Sequence, residues 1–185
     1  MSSALIVIDV QQEYFTGAWP ILHPDRDAAV ERIVAAMRAA RAAGIPVVVV
    51  QHRTPSGSPV FADGSPTQEL HPAIAAEHRD HLVFKTYPGS FTGTDLGEWL
   101  AGRSVDELVI CGFMTHMCVD STARQAHHAD LAAVVLGDAT GTLDVASPDG
   151  TIVPARQVHE TELAVIGSAF ARIVGTEDWI GSITV

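Results

Sequence analysis

A chain of 185 residues has the length of one ordinary domain, and residues 1–185 are read as a single unit. With 47% hydrophobic and 18% charged residues, the composition excludes disordered and fibrous classes. Eleven basic against 22 acidic residues give a net charge of −11, which leaves no phosphate-neutralising surplus for nucleic acid and no attraction to an anionic membrane. The 2 cysteines, Cys111 and Cys118, are too few for a disulfide framework. No stretch approaches the ~20 apolar residues of a membrane span. The apolar run from Ala4 to Ile8 is too short for a signal-peptide core, and no basic residue precedes it. A soluble, cytoplasmic protein is expected.

Apolar runs then alternate with helical patterns. Ala4 to Ile8 reads as a buried strand ending at Asp9. Asp27 to Ala43 reads as a helix, with Val30, Ile33, Val34, Met37 and Ala40 on one face and Gly44 as its stop. Val47 to Val50 is a β-branched strand. Arg53 to Glu69 carries Pro55, Gly57, Pro59, Gly64 and Pro66, a long loop of the kind that is usually functional. A strand over His81 to Lys85, a brief helix over Leu96 to Leu100 and a strand over Glu107 to Cys111, closed by Gly112, come next. Cys118 to Ala129 reads as a helix with a small apolar face of Val119, Ala123 and Ala126. Its His127-His128 pair falls on the exposed flank. Ala132 to Leu136 is a strand leading to Asp138, Thr151 to Phe170 is mostly helix with Leu163, Ile166 and Phe170 on one side, and Arg172 to Val174 is a last strand. Fully apolar strands separated by helices imply an α/β fold: a six-stranded, mainly parallel central sheet in three α/β/α layers, Rossmann-like.

Ligands of such sheets bind at the carboxyl ends of the strands. Here those ends carry Asp9, Gln51-His52, Lys85, Gly112 leading to Cys118, and Asp138. Lys85 stands out because the other ten basic residues are all arginine. A lone lysine against that bias points to a need for a compact ammonium rather than a planar fork. Cys118 is expected at a helix start, where partial positive charge and a nearby ammonium would favour its thiolate. A carboxylate in reach could take the thiol proton. Cys111, inside an apolar strand, reads as a core residue. No dinucleotide or phosphate-loop motif is present.

Ile8-Asp9-Val10-Gln11-Gln12-Glu13-Tyr14-Phe15 resembles the Asp-x-Gln-Asn-Asp-Phe opening of the isochorismatase-like cysteine hydrolases, with Gln12-Glu13 replacing Asn-Asp. Lys85 to Phe91 is similar to that family's Lys followed by Ser-x-Phe or Ser-Phe, and Gly112 to Arg124 to its Gly-x-x-Thr-x-x-Cys-Val block. The order and spacing agree from Ala4 to about Val174. The resemblance implies a catalytic triad of Asp9, Lys85 and Cys118, and a cis peptide at Phe113–Met114. It also implies an oxyanion hole of the Met114 and Cys118 N–H groups, and a homo-oligomer, dimer or tetramer.

Nicotinamidases of that family bind a metal through an Asp-x-His motif and a later His. At the matching positions this chain has Gln51-His52-Arg53-Thr54, with His71 left as a lone partner. Three protein ligands are therefore not assembled, and neither a metal nor another cofactor is expected. By proximity to the motifs, a substrate pocket is expected from Tyr14, Phe15, Trp19, His52, Tyr87 and His116. The resulting expectation is a cysteine hydrolase that cleaves a C–N bond of a small amide, carbamoyl or lactam-like substrate through a thioester. The alternatives are a vinyl-ether hydrolase of isochorismatase type and a non-catalytic thiol-sensing or binding protein.

Overall fold

A computed structural model describes residues 2–183. Its six-stranded sheet runs in the order β3 (His81–Lys85), β2 (Val47–His52), β1 (Ser3–Ile8), β4 (Glu107–Phe113), β5 (Ala132–Gly141) and β8 (Arg172–Val174). Every neighbouring pair is parallel. The three-layer α/β architecture read from the alternation of apolar strands and helices is therefore present, with a sheet that is wholly parallel.

The burial of β1 shows why its sequence has no polar alternation. Leu5 and Val7 enter one apolar layer, whereas Ala4, Ile6 and Ile8 enter the layer on the opposite face. The first layer is covered by α1 (Arg26–Ala42), whose Ala29, Ile33, Ala36, Met37 and Ala40 are buried. The Asp25 carboxylate caps its start by accepting from the Ala28 N–H. The second layer lies under α3 (Leu96–Ala101), α4 (Asp120–His128) and α5 (Ala155–Ala169). Val119, Ala123 and Ala126, the expected small face, are fully buried there.

Several boundaries differ from the sequence reading. β4 continues through Gly112 to Phe113, and β5 continues past Leu136 to Gly141, because the two ladders resume after an irregularity between Ile110 and Gly112. Cys118 belongs to a π-helical turn, Thr115–Val119, that precedes α4. α5 starts at Ala155 because Pro154 and a small antiparallel hairpin, β6 (Val145–Ala146) with β7 (Ile152–Val153), come first. Finally, α6 (Thr176–Ile183) lies beyond the last expected strand and buries Trp179 against α1's layer. The short helix α2 (Pro72–Ala75) sits in the loop after β2 and buries Ile74. Among the described residues no helix is long and apolar enough to cross a membrane.

The strand order places the crossover reversal between β1 and β4. The chain builds outward from β1 to β2 and β3, then returns to the other side of β1 for β4. A crevice opens at the carboxyl ends where the two directions part. Asp9 follows β1 and the Cys118 turn follows β4, so both lie on that crevice. Gly112 makes the approach of the two strands possible: at φ +108°, a Cβ there would sit 2.1 Å from the Ile8 carbonyl oxygen. Gly112→Ala is therefore expected to lower stability by about 3 kcal/mol or more, since both a disfavoured backbone and a backbone clash must be relieved. Urea unfolding measures this, and a midpoint unchanged from the parent would contradict it.

Candidate active site

Lys85 is the last residue of β3, and its side chain is fully buried. Its Nζ lies 2.6 Å from Asp9 Oδ2. It also lies 3.2 Å from Cys118 Sγ, 3.1 Å from the Tyr87 carbonyl oxygen and 3.1 Å from His52 Nδ1. An ammonium has three hydrogens, so four acceptors surround three donors. Burial works against the charge, but Asp9 and the Cys118 sulfur outweigh it and hold the Lys85 pKa above the ordinary lysine value. His52 is shifted the other way, by burial and by the Lys85 charge, and so stands neutral with Nδ1 free to accept.

The thiol departs from the expectation of a favoured thiolate. Burial first, then the Asp9 charge, push the Cys118 pKa up to about 12, against the opposing pull of Lys85. The charge count explains this. Asp9 and Lys85 already neutralise one another, so ionising the sulfur would leave a net negative charge in a site where Cys118 is only 6% exposed. The thiol rests protonated, beside an Asp9 carboxylate that is paired with the same Lys85 ammonium and helps to raise the thiol's pKa.

Each chemical group is held by a local device. Asp9 adopts φ 51°, a left-handed conformation that aspartate tolerates better than most residues. Gln11 clamps the end of β2: its Oε1 accepts from the His52 N–H at 2.8 Å, and its Nε2 donates to the His52 carbonyl at 2.9 Å and the Gln68 carbonyl at 2.6 Å. Ser90 is fully buried and bonds Thr122 Oγ1 at 2.9 Å, while Thr122 Oγ1 donates to the Cys118 carbonyl at 2.7 Å. The loop after Lys85 is thereby tied to the helix behind the thiol. The Phe113–Met114 peptide is cis.

A cavity of about 220 Å³ opens onto Cys118. Tyr14, Trp19 and His52, three of the six expected pocket residues, line it. The other three lie elsewhere. Phe15 turns away, 4.5 Å from the His71 ring and 6.1 Å from that of Phe113, because it closes the core side of its turn. Tyr87 offers its carbonyl to Lys85 and is 58% exposed as a residue. His116 binds Thr142 Oγ1 and lines a neighbouring cavity.

Phe61, Thr86, Pro88 and Met117 complete the wall and were not anticipated. Phe61 comes from the long loop after β2, whose path depends on a distant carboxylate. Glu13, 1% exposed, accepts from the Ala18 N–H at 2.6 Å and the Phe61 N–H at 3.3 Å. It thus joins the segments carrying Trp19 and Phe61. Asp138, also at a strand end, serves the fold: it accepts from Thr176 N and Oγ1 at the start of α6 and pairs with Arg32 of α1 at 3.2 Å. His71 Nδ1 accepts from the Ala73 N–H at the start of α2. Among the described residues, no three His, Cys, Asp or Glu side chains are grouped to hold a metal ion.

The raised thiol pKa has a measurable consequence. Alkylation of Cys118 by iodoacetamide should keep rising with pH through the alkaline range, and Cys111, fully buried and pushed higher still, should react more slowly. Lys85→Met removes the one nearby cation and should raise the Cys118 pKa further. A rate plateau below about pH 9, near an ordinary free thiol, would show the sulfur is not held protonated by its surroundings.

Comparison with known proteins identifies the fold and the family. A solved structure of isochorismatase type from Burkholderia xenovorans LB400 superposes with a TM-score of 0.96 at 47% identity, covering 98% of this chain and 87% of that one. The secreted isochorismatase effector Isc1 of Verticillium dahliae is 34% identical over 95% of this chain and 89% of its own length. Ureidoacrylate amidohydrolase RutB of Methylorubrum extorquens AM1 is 32% identical over 75% of this chain and 69% of its own. The Isochorismatase domain matches residues 3–178, so this chain belongs to the isochorismatase family of hydrolases.

Proposed function

We propose that this hydrolase cleaves a C–N bond of a small amide, carbamoyl or lactam-like substrate through a thioester on Cys118. The observation that carries the reading is a thiol at the wall of an apolar cavity, 3.2 Å from a buried ammonium that is itself paired with a buried carboxylate. A relative that is an amidohydrolase by name supports it, and a thiol so equipped is not needed to hydrolyse a vinyl ether.

The steps balance as follows. The substrate carbonyl carbon approaches Cys118 Sγ, the S–H proton passes to the Asp9 carboxylate, and the S–C bond forms. The carbonyl oxygen takes up the negative charge. Donors from the Met114 and Cys118 N–H groups would each lower the barrier by roughly 3–4 kcal/mol. Asp9 then gives its proton to the departing nitrogen, the C–N bond breaks and the amine leaves. Water attacks the thioester, Asp9 accepts one of its protons, the C–S bond breaks and the thiol regains the proton.

Lys85 keeps its charge throughout. Its task is to hold Asp9 and sulfur in register while negative charge moves between them. Because Asp9 returns to its starting state in each half-reaction, the same ammonium serves both.

Two outcomes test this. Cys118→Ser and Asp9→Asn should each reduce amine release from a responsive amide by on the order of 1,000-fold, within the range of acid–base and nucleophile losses. Intact-mass spectra of the parent enzyme quenched in turnover should show the acyl group on Cys118. Undiminished activity in both variants, with no acyl adduct on the parent's Cys118, would remove the thioester reading. Lys85→Arg should be nearly as damaging as Lys85→Ala, with kcat down about 100-fold, because a planar fork cannot direct three hydrogens at Asp9, sulfur and the Tyr87 carbonyl. Near-parental turnover of the Arg variant would mean that Lys85 supplies diffuse charge alone.

A further inference from the structure

The cavity at Cys118 does not end the binding space. At about 220 Å³ it falls below the ~300–1,000 Å³ of ordinary small-molecule sites. A second cavity of about 480 Å³ adjoins it, and Trp19, Met114 and Met117 belong to the walls of both. Taken as one groove, they come within the ordinary range.

The groove has an unusual charge pattern. Among the described residues, no lysine or arginine lines either cavity. The nearest cation, Lys85, is enclosed by its four partners beneath the thiol. His52 and His116 both have pKa values lowered by burial, so neither supplies a cation at neutral pH. Among the described residues, the one carboxylate lining the groove is Asp144, in the cavity that does not include Cys118. One of its oxygens accepts from the Ala155 N–H at 2.7 Å, and the residue is otherwise exposed. Leu22 and Leu143 add apolar surface to the same cavity, and Met117 is shared with the cavity of the thiol. A substrate carboxylate placed here would lose hydration without gaining a counter-ion, and would face a protein of net charge −11. A neutral chain loses nothing polar, and a terminal ammonium gains Asp144.

We infer that the groove selects elongated amides that are uncharged or carry a terminal ammonium, and rejects acids. The smaller half would lie against Cys118, and the longer half would run past Trp19 and Met117 toward Asp144. This deepens the amide-hydrolase reading and rests on it for the orientation of the scissile bond.

The test separates the two. Three N-benzyl hexanamides, bearing at the far end of the acyl chain a methyl, an ammonium or a carboxylate, are compared with acetamide. Binding is measured by calorimetry on Cys118→Ala, and turnover by chromatography on the parent enzyme. The methyl and ammonium compounds should bind at least ~10-fold more tightly than acetamide, the gain expected of apolar contacts in a fitted pocket. The carboxylate compound should bind on the order of 10-fold more weakly than the methyl one, the direction set by like-charge contact. Asp144→Asn keeps the acceptor for Ala155 and should remove the ammonium's advantage over methyl. Leu22→Lys, at a 55% exposed position, should restore binding of the carboxylate.

Equal binding of all four compounds, preference for the carboxylate, or no binding of any overturns the inference. Selective binding with no turnover and no acyl adduct on Cys118 overturns the amide-hydrolase reading instead, and leaves the groove's selectivity standing.

Discussion

A buried ammonium with more acceptors than hydrogens organises this protein's active edge. Removing an ammonium from water is costly, and only a carboxylate with further acceptors nearby makes it tolerable. Lys85 obtains these from four separate parts of the chain: Asp9 after β1, His52 at the end of β2, Tyr87 after its own strand, and Cys118 after β4. Each contact fixes one segment relative to the others. Burying Lys85 thus selects the arrangement of three strand ends together with the chemistry. It also accounts for a single lysine among ten arginines, since the planar guanidinium has no orientation that serves acceptors on so many sides.

The sheet and the site were legible to different depths. The strands were readable because a parallel sheet covered on both faces leaves its residues no polar alternative, as in Ala4 to Ile8 and Val47 to Val50. The three chemical residues could be found as strand-end groups, and motif resemblance joined them. The pocket wall was less legible. Phe61 reaches the thiol only because Glu13 holds two loops together through backbone N–H groups, and such a contact leaves no periodic trace in sequence. The replacement of Asn-Asp by Gln12-Glu13 is the one signal in the sequence, and it keeps an amide followed by a carboxylate. α6 was missed for a similar reason: its start is held by Asp138, 38 residues earlier.

The charge state of the thiol could not be read from position alone. A helix start and a nearby lysine both favour a thiolate. The opposing contributions, burial and a carboxylate already paired with that lysine, depend on distances that the sequence does not contain. The same residues can hold a thiolate or a thiol, and the neutral pairing of Asp9 with Lys85 decides between them.

A sulfur that stays protonated until a carbonyl arrives has a consequence for the protein's durability. Peroxide and adventitious electrophiles attack thiolates far faster than thiols, and nucleophilic cysteines are usually the first residues that oxidative stress removes. In the proposed mechanism the nucleophile is made only as the S–C bond forms and the S–H proton passes to Asp9. Until then the sulfur stays a largely buried thiol at the wall of a cavity it shares with Tyr14, Phe61 and Met117. On that reading reactivity is confined to the moment of bond formation, and a resting thiol held protonated offers little to oxidants that attack thiolates.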